Sequence, residues 1–199
     1  MDIVCSPDKN YVMPTGIMMC SLCENNKDEE ITFHIIHADL NEEEKNSLTN
    51  IAKRYGKEIC FYTVEVQKLA DITTIGQNQQ RNLPLSAYYR LLFVDLLPKH
   101  IEKVLYLDGD TIVSANLTEL WNTDIEDYAL AAVIDYTLHE RAVAYNRLRY
   151  PFRLGYFNSG VLLINVSYWR QVDATNLFLD FIKKHPEGLA NHDQDVLNY

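Results

Sequence analysis

The sequence contains no apolar run close to the roughly 20 residues that a membrane-spanning helix requires, so no such segment is predicted in its 199 residues. It also lacks a basic tract, and its 28 acidic and 18 basic residues give a net charge of −10. Because nucleic-acid binding depends on a face of lysine and arginine, nucleic acid is not an expected partner. An acidic protein that handles an anionic substrate would need positive charge beside that substrate, most simply from a divalent cation.

The sequence contains few cysteines, and its first residues do not have the features of a signal peptide. There are four cysteines, and Met1–Cys5 has neither the basic start nor the long apolar core of a signal peptide. We therefore expect reduced thiols and a cytoplasmic protein, compatible with peripheral association at the inner face of the cell membrane. Cys20 and Cys23 have Cys-x-x-Cys spacing, but Cys5 and Cys60 fall in separate predicted strands. We expect the pair to pack in a helix as small apolar residues rather than to bind zinc.

The composition is that of one globular domain, with 47% hydrophobic and 23% charged residues. Short apolar runs, which indicate strands, alternate with segments whose apolar residues have helical spacing. This alternation predicts an α/β domain with a mostly parallel sheet. The predicted strands are Ile3–Cys5, Ile31–His37, Ile59–Val64, Val104–Leu107, Ala129–Ile134 and Val161–Ile164. The predicted helices run from Pro14 to Glu24, from Asn41 to Gly56, from Ser86 to Leu97 and from Ala174 to just before Pro186, and another begins near Asp193.

Two local patterns sharpen these predictions. Asn41 and Glu44 have the spacing of a capping box, and Gly56 is expected to end the same helix. The runs Val104–Leu107 and Ala129–Ile134 are continuously apolar, as expected for strands covered on both faces.

Acidic residues follow several of the predicted strands. They are Asp8, Asp39, Asp108, Asp110 and Asp135. Ligands of such sheets bind beyond the carboxyl ends of the strands, so these acids are expected to gather at one functional edge. Aspartate is also common in turns, which is the alternative explanation.

The strongest single motif is Asp108-Gly109-Asp110, directly after an apolar strand. Residues two apart in an extended chain share a face, and Gly109 would allow a ligand or backbone to approach closely. Carboxylate oxygens suit Mg²⁺ or Mn²⁺, which often also bind substrate phosphates. The tripeptide could instead be a turn with two solvated acids, and a second Asp-x-Asp occurs at Asp193 and Asp195.

Several sequence blocks occur in an order typical of one protein family. They are Ile3–Tyr11, Ser86–Leu91, Lys103–Asp110, Phe157–Asn165, Trp169-Arg170 and His192–Asn198. Together they resemble glycosyltransferase family 8, which includes bacterial galactosyl- and glucosyltransferases of lipopolysaccharide assembly and glycogenin. The resemblance spans nearly the whole chain.

The resemblance implies a single GT-A glycosyltransferase domain over residues 1–199, with a nucleotide-binding half at 1–110 and a donor-sugar and acceptor half at 111–199. It implies transfer of a hexose, with retention of configuration, from UDP-galactose or UDP-glucose. The acceptor would be a saccharide or glycolipid such as lipopolysaccharide or a cell-surface glycan. The implied cofactor is Mn²⁺, with Mg²⁺ as the alternative. The oligomeric state stays open.

The resemblance also implies residue roles. Those expected at the nucleotide are Ser6, Asp8, Asn10, Tyr11, Asp108 and Gly109, and the metal ligands are Asp108 and Asp110. Those expected at the donor sugar and acceptor are Arg90, Asp135, Asn158, Ser159, Asp193 and Gln194. Of these, Arg90, Asp193 and Gln194 are expected to be catalytic.

The implied chemistry fits these residue types. A divalent ion and Arg90 would stabilise the charge on departing UDP. The Gln194 amide oxygen would face the oxocarbenium-like sugar, but an amide is a poor nucleophile. We therefore favour front-side transfer through a short-lived ion pair over a covalent sugar on Gln194 or a neighbouring carboxylate.

Structural explanations remain for the same residues. Asn158 could end a strand, Arg90 could pair on the surface with Asp95 or Glu102, and Asp193 could cap a helix. The arginine-rich segment Tyr136–Leu154 could be an exposed loop or a cover over the acceptor site.

Two other activities are weighed against glycosyl transfer. In a phosphohydrolase of the haloacid dehalogenase type, Asp108 would be the nucleophile of the motif. The second alternative is a non-catalytic module that binds a nucleotide sugar.

The family pattern continues beyond Asp195 to a histidine that completes the metal shell, and the residues up to Tyr199 contain no counterpart of it. We therefore expect a domain without the family's C-terminal segment.

Overall fold

The computed structural model describes residues 1–65, 67, 85–136, 153, 155–185, 189 and 191–199. Most of the predicted cover segment Tyr136–Leu154 lies outside these residues. Within them, no helix combines the length and apolar character needed to cross a membrane.

The centre of the fold is a six-stranded sheet in the order β3-β2-β1-β4-β6-β5. Its strands are β1 (Asp2–Cys5), β2 (Thr32–His37), β3 (Glu58–Thr63), β4 (Lys103–Leu107), β5 (Leu130–Ile134) and β6 (Phe157–Asn165). Strands β1 to β4 pair in parallel, whereas β6 runs antiparallel to both β4 and β5. The predicted α/β architecture with a mostly parallel sheet is confirmed.

Helices cover both faces of the sheet. They are α1 (Val12–Asn25), α2 (Glu42–Arg54), α3 (Thr118–Trp121), α4 (Val166–Gln171), α5 (Ala174–Lys184) and α6 (His192–Asn198). The capping box of α2 is present: Asn41 Oδ1 accepts from the Glu44 amide, and Glu44 accepts from the Asn41 amide. Gly56 follows α2 with a φ of 64°, as expected for a glycine that ends a helix.

Alternating residues of the strands pack into two separate hydrophobic cores, one on each face of the sheet. Ile3 and Cys5 of β1 pack towards α1 and α2, in a cluster that includes Met18 and Leu48. Val4 faces the opposite side, where Tyr106, Trp169 and Ile182 are buried with it. Because β1 and β4 are buried on both faces, the residues that follow them are held on rigid strand ends. Cys20 and Cys23 lie in α1 as predicted, with Cys23 fully buried.

Two predicted elements were wrong. The segment Ser86–Leu97 is not one helix but two 3-10 helices, Leu85–Leu91 and Phe93–Asp95. The Ser86 hydroxyl donates to Asp8 Oδ2 rather than capping a helix, which ties this segment to the end of β1. Strand β5 is not covered on both faces, since it lies at the sheet edge and leaves Val133 64% exposed.

Candidate active site

The chain segments that follow β1 and β4 form a cleft of about 160 Å³ at the carboxyl edge of the sheet. These two strands are neighbours, with Val4 opposite Tyr106, so the segments after them necessarily meet. The cleft is lined by Ser6, Pro7, Asp8, Tyr11, Ser86, Ala87, Arg90, Tyr106, Asp108, Gly109 and Asp110. Residues from three of the sequence blocks therefore share one concave surface.

The carboxylate of Asp108 is held on one side by the protein. Its Oδ1 accepts a hydrogen bond from Arg90 Nη2 at 2.7 Å and from the Tyr106 hydroxyl at 3.2 Å. Its backbone amide donates to the Gly160 carbonyl at 2.8 Å. A Cβ on Gly160 would lie 2.8 Å from Asp108 Oδ2, so a glycine is required for this packing.

Gly109 and Asp110 have different constraints. A Cβ on Gly109 would lie 2.3 Å from Thr15 Oγ1, so the close approach of this turn to α1 requires a glycine. Asp110 is exposed at the cleft and forms no hydrogen bond or ion pair with the residues that the structure describes. Its carboxylate is therefore available to a ligand.

Arg90 is buried at the centre of a charged network. Besides Asp108, its Nη1 donates to the Ser159 carbonyl at 2.8 Å, and its guanidinium carbon lies 4.5 Å from the centre of the Tyr106 ring. Its Nε lies 3.2 Å from Asp193 Oδ2 in an ion pair without hydrogen-bond geometry, because that N–H points to the Ala87 carbonyl. A surface pair of Arg90 with Asp95 or Glu102 is therefore wrong.

This network shifts the pKa values of its members. Burial alone would lower the pKa of Arg90, but Tyr106, Asp193 and Asp108 raise it, so the guanidinium stays charged. Burial raises the pKa of Asp193, although Arg90 acts against that rise. Burial also raises the pKa of Tyr106 well above its usual value, so its hydroxyl remains a hydrogen-bond donor.

Gln194 joins the ends of two further strands. Its side-chain oxygen accepts from the Ser159 amide, and its side-chain nitrogen donates to Asp135 Oδ2, each at 3.0 Å. The Asp135 amide in turn donates to the Tyr156 carbonyl at 2.8 Å. The structure therefore brings Asp135, Ser159, Asp193 and Gln194 together beside Arg90.

The beginning of α6 is fixed by contacts that the sequence analysis missed. Asp195 is fully buried, with Oδ1 accepting from the Tyr156 hydroxyl at 2.8 Å and Oδ2 from the Asn191 amide at 2.9 Å. The capping residue of α6 is Asn191, so the proposal that Asp193 caps this helix is wrong. In the sequence Asp195 belongs to the second Asp-x-Asp and to the block His192–Asn198, but neither indicated Tyr156 as its partner.

The remaining residues predicted for the site are Asn158 and those of the segment between β1 and α1. Asn158 is the second residue of β6 rather than its end, is exposed, and accepts from the Gly160 amide at 2.8 Å. Asp8 Oδ1 accepts from the amides of Asn10 and Tyr11, which shapes the turn into α1. Asn10 and Tyr11 are exposed, with Tyr11 at the cleft.

The residues present fit a divalent cation in part. Asp108 and Asp110 supply carboxylate oxygens beside the same cleft, and the hard oxygen donors match Mg²⁺ or Mn²⁺. In the described part of the chain, no group of three or more histidine, cysteine and acidic side chains converges on one point. Asp108 and Asp110 are therefore two candidate ligands for such a cation.

Comparison with known proteins decides the family. The model described as Glycosyl transferase family 8 matches residues 2–199. The chain belongs to glycosyltransferase family 8. Family membership removes the phosphohydrolase alternative, which rested on the Asp-x-Asp motif alone.

The family 8 chain is similar to curated proteins along its whole length. It is 33% identical over 193 residues to a lipopolysaccharide 1,2-glucosyltransferase of Escherichia coli, covering 96% of the chain and 56% of that protein. It is 31% identical over 202 residues to general stress protein A of Bacillus subtilis (strain 168), covering 100% of the chain and 68% of that protein. The chain thus spans between about half and two thirds of these relatives.

Solved structures agree with the fold. The galactosyltransferase LgtC, determined with donor and acceptor sugar analogs, superposes with a TM-score of 0.87 at 30% identity, covering 100% of the chain and 69% of LgtC. Mouse xyloside xylosyltransferase 1, at 16% identity and a TM-score of 0.65, shares the fold alone. The protein has the GT-A fold, as its sequence blocks predicted.

Proposed function

We propose that this protein transfers a hexose from a UDP-sugar, UDP-galactose or UDP-glucose, to a saccharide acceptor with retention of configuration and with Mn²⁺ as cofactor. The observation that carries the proposal is the cleft, where two carboxylates after β4 lie beside a buried arginine. Support also comes from the relatives named as lipopolysaccharide 1,2-glucosyltransferase and, at 27% identity, lipopolysaccharide 1,3-galactosyltransferase of Salmonella typhimurium.

We assign the nucleotide to the side of the cleft next to β1. Tyr11 offers an exposed aromatic ring for the base, and Ser6 and Asn10 offer polar groups for the uridine. Asp8 holds the turn through its bonds to the Asn10 and Tyr11 amides and receives the Ser86 hydroxyl. Gly109, which lets the turn after β4 approach Thr15 closely, is assigned to the diphosphate side of the cleft.

We assign the metal to Asp108 and Asp110. When bound, Mn²⁺ or Mg²⁺ would act as a Lewis acid on the diphosphate oxygens. Arg90 adds a fixed positive charge next to Asp108, and a preorganised charge of this kind stabilises a phosphate leaving group without reorganisation. In this assignment the metal ion and the buried Arg90 guanidinium bind the negatively charged donor, although the protein as a whole is acidic.

The donor sugar is assigned to the surface formed by Asn158, Ser159, Asp193 and Gln194. Gln194 is anchored at both ends of its amide, so its oxygen is preorganised to face positive charge that develops on the sugar. In support, a solved structure of LgtC, at 29% identity, is an active-site mutant in which a glutamine is replaced by glutamate.

We propose front-side transfer rather than a covalent sugar-enzyme intermediate. The sugar–phosphate bond breaks, the acceptor hydroxyl bonds to the same face of the sugar, and a UDP phosphate oxygen takes its proton. Asp195 is unsuited to attack the sugar, because it is fully buried and both of its oxygens accept hydrogen bonds. Gln194 carries an amide, which is a weak nucleophile.

Asp135 is assigned to the acceptor side, because it lies at the end of β5 and holds Gln194. The acceptor would be lipopolysaccharide or another cell-surface glycan, which places the enzyme in the cytoplasm at the inner face of the membrane. The division into a nucleotide half, residues 1–110, and a sugar and acceptor half, residues 111–199, remains part of this proposal.

A panel of UDP-sugars tests the proposal directly. The protein is incubated with each donor and Mn²⁺, with and without a saccharide acceptor, and release of UDP is measured. UDP release from one or two donors, lost on chelation of Mn²⁺, is the expected result. Mn²⁺-dependent UDP binding without hydrolysis or transfer from any donor would instead identify a nucleotide-sugar-binding module.

A further inference from the structure

The hydroxyl of Tyr106 lies between the nucleotide side of the cleft and the metal-binding carboxylate. Tyr106 belongs to β4 and is 1% exposed, with its ring beneath the Arg90 guanidinium. Its hydroxyl is 2.7 Å from Ser6 Oγ and 3.2 Å from Asp108 Oδ1. None of the roles assigned above uses this side chain.

The direction of these two hydrogen bonds follows from the number of protons. A phenol has one proton, and an ionised carboxylate can only accept, so Tyr106 donates to Asp108. Tyr106 must then accept from Ser6, whose hydroxyl is the donor of the shorter bond. The result is a directed chain from Ser6 through Tyr106 to Asp108.

This chain determines how Asp108 presents its two oxygens. Oδ1 has two protein donors, Arg90 Nη2 and the Tyr106 hydroxyl. Oδ2 lies beside Gly160, where a Cβ would come within 2.8 Å of it, and receives neither of these bonds. The carboxylate is thus held in one rotation about its terminal bond, which leaves Oδ2 as the oxygen with free lone pairs.

We propose that Tyr106 is a positioning residue for the metal-binding carboxylate Asp108 and that Ser6 acts on the metal site through the Tyr106 hydroxyl. The inference rests on the proposed divalent-cation site and adds a coupling between that site and the nucleotide side of the cleft. Partners that orient metal ligands commonly change metal affinity by about 10- to 100-fold when they are removed. The 3.2 Å bond from Tyr106 favours the lower end of that range.

The test is Mn²⁺ affinity without nucleotide, measured from the free Mn²⁺ signal in electron paramagnetic resonance. Tyr106→Phe keeps the ring under Arg90 and removes only the hydroxyl, and we expect about tenfold weaker Mn²⁺ binding. Ser6→Ala, which removes no metal ligand, should weaken binding by a smaller factor. The double variant should equal Tyr106→Phe, because Ser6 has no route to Asp108 without the Tyr106 hydroxyl.

A matched control is Tyr88→Phe. Tyr88 is also 1% exposed, and within the described residues its hydroxyl has no hydrogen-bond partner, so its removal should leave Mn²⁺ affinity unchanged. Thermal unfolding midpoints establish that each variant is folded. If Tyr106→Phe does not fold, Ser6→Ala alone decides.

Three results would overturn the inference. Tyr106→Phe or Ser6→Ala could bind Mn²⁺ as tightly as the parent, or the effects of the two substitutions could multiply in the double variant. Either result would leave the metal site standing and refute only the coupling. Failure of the parent protein itself to bind Mn²⁺ would refute the metal site of the proposed function as well.

Discussion

Replacement of Arg90 by methionine tests the central electrostatic feature of the cleft. The side chain of Arg90 is 9% exposed and pairs with Asp193, which is 8% exposed, and with Asp108, which is 33% exposed. Removing one partner of a buried pair costs about 3–5 kcal/mol, because it leaves an uncompensated charge. The more exposed Asp108 pair adds at most about 1 kcal/mol after solvent screening. We therefore expect Arg90→Met to lower the free energy of unfolding by about 3–5 kcal/mol at neutral pH.

The loss should depend on pH in a defined direction. Burial raises the folded-state pKa of Asp193 and Arg90 opposes this, so removal of Arg90 raises the pKa further. An acid with a raised folded pKa stabilises the folded state when protonated, below its unfolded value of about 4. That contribution is lost as pH rises through the folded value. The difference between Arg90→Met and the parent should therefore be largest at neutral pH and shrink as pH falls towards about 4.

Urea unfolding followed by tryptophan fluorescence measures both effects. Arg170→Met is a matched control, because Arg170 donates to backbone carbonyls, among them those of Ile101 and Leu97, and its loss should be independent of pH. Adding Asp193→Asn to Arg90→Met should remove most of the pH dependence. A loss below about 1 kcal/mol, as for an exposed pair, or an equal loss at neutral and acidic pH would refute this reasoning.

Three further predictions concern the groups around the cleft. Gly109→Ala places a Cβ 2.3 Å from Thr15 Oγ1 and should cost about 1–3 kcal/mol of stability in thermal unfolding, with partial recovery when Thr15→Ala is added. Gln194→Ala should lower kcat by on the order of 100-fold with little change in KM for the donor, measured by UDP release, because in the proposed mechanism a preorganised polar group that faces the transition state is lost. Equal effects on binding and turnover would contradict that role. Tyr156→Phe removes a buried hydrogen bond to Asp195 and should cost about 1.5–3 kcal/mol in urea unfolding, and an unchanged midpoint would show that this bond does not hold α6.

Local patterns predicted the parts of the fold that depend on neighbouring residues. The run Val104–Leu107 was identifiable as a buried strand because it is apolar and is followed directly by Asp108, and the observed strand is Lys103–Leu107. The α2 boundaries were predictable because capping by Asn41 and termination at Gly56 involve residues a few positions apart. A parallel topology was enough to predict that Asp8 and Asp108, each of which follows a strand, lie at the same edge of the sheet, and both line the cleft.

Other features depend on contacts between distant parts of the chain. Ser6 and Tyr106 are 100 residues apart, and Tyr156 and Asp195 are 39 apart, so no local pattern could pair them. The 3-10 helices were missed because helical periodicity does not distinguish them from an α-helix when nearly every side chain is buried. The exposure of β5 was missed because an apolar run does not reveal that its strand lies at a sheet edge.

Mn²⁺-dependent binding of UDP, measured calorimetrically in the parent and in Asp110→Ala, tests the proposed site most directly. Asp110 is exposed and has no bond to any other described residue, so its replacement should leave the fold intact. Asp127→Ala, which removes an exposed acid outside the cleft, is the control. We predict that the parent and Asp127→Ala bind UDP only with Mn²⁺ and that Asp110→Ala does not bind it. Equal UDP binding by Asp110→Ala and the parent would contradict the account.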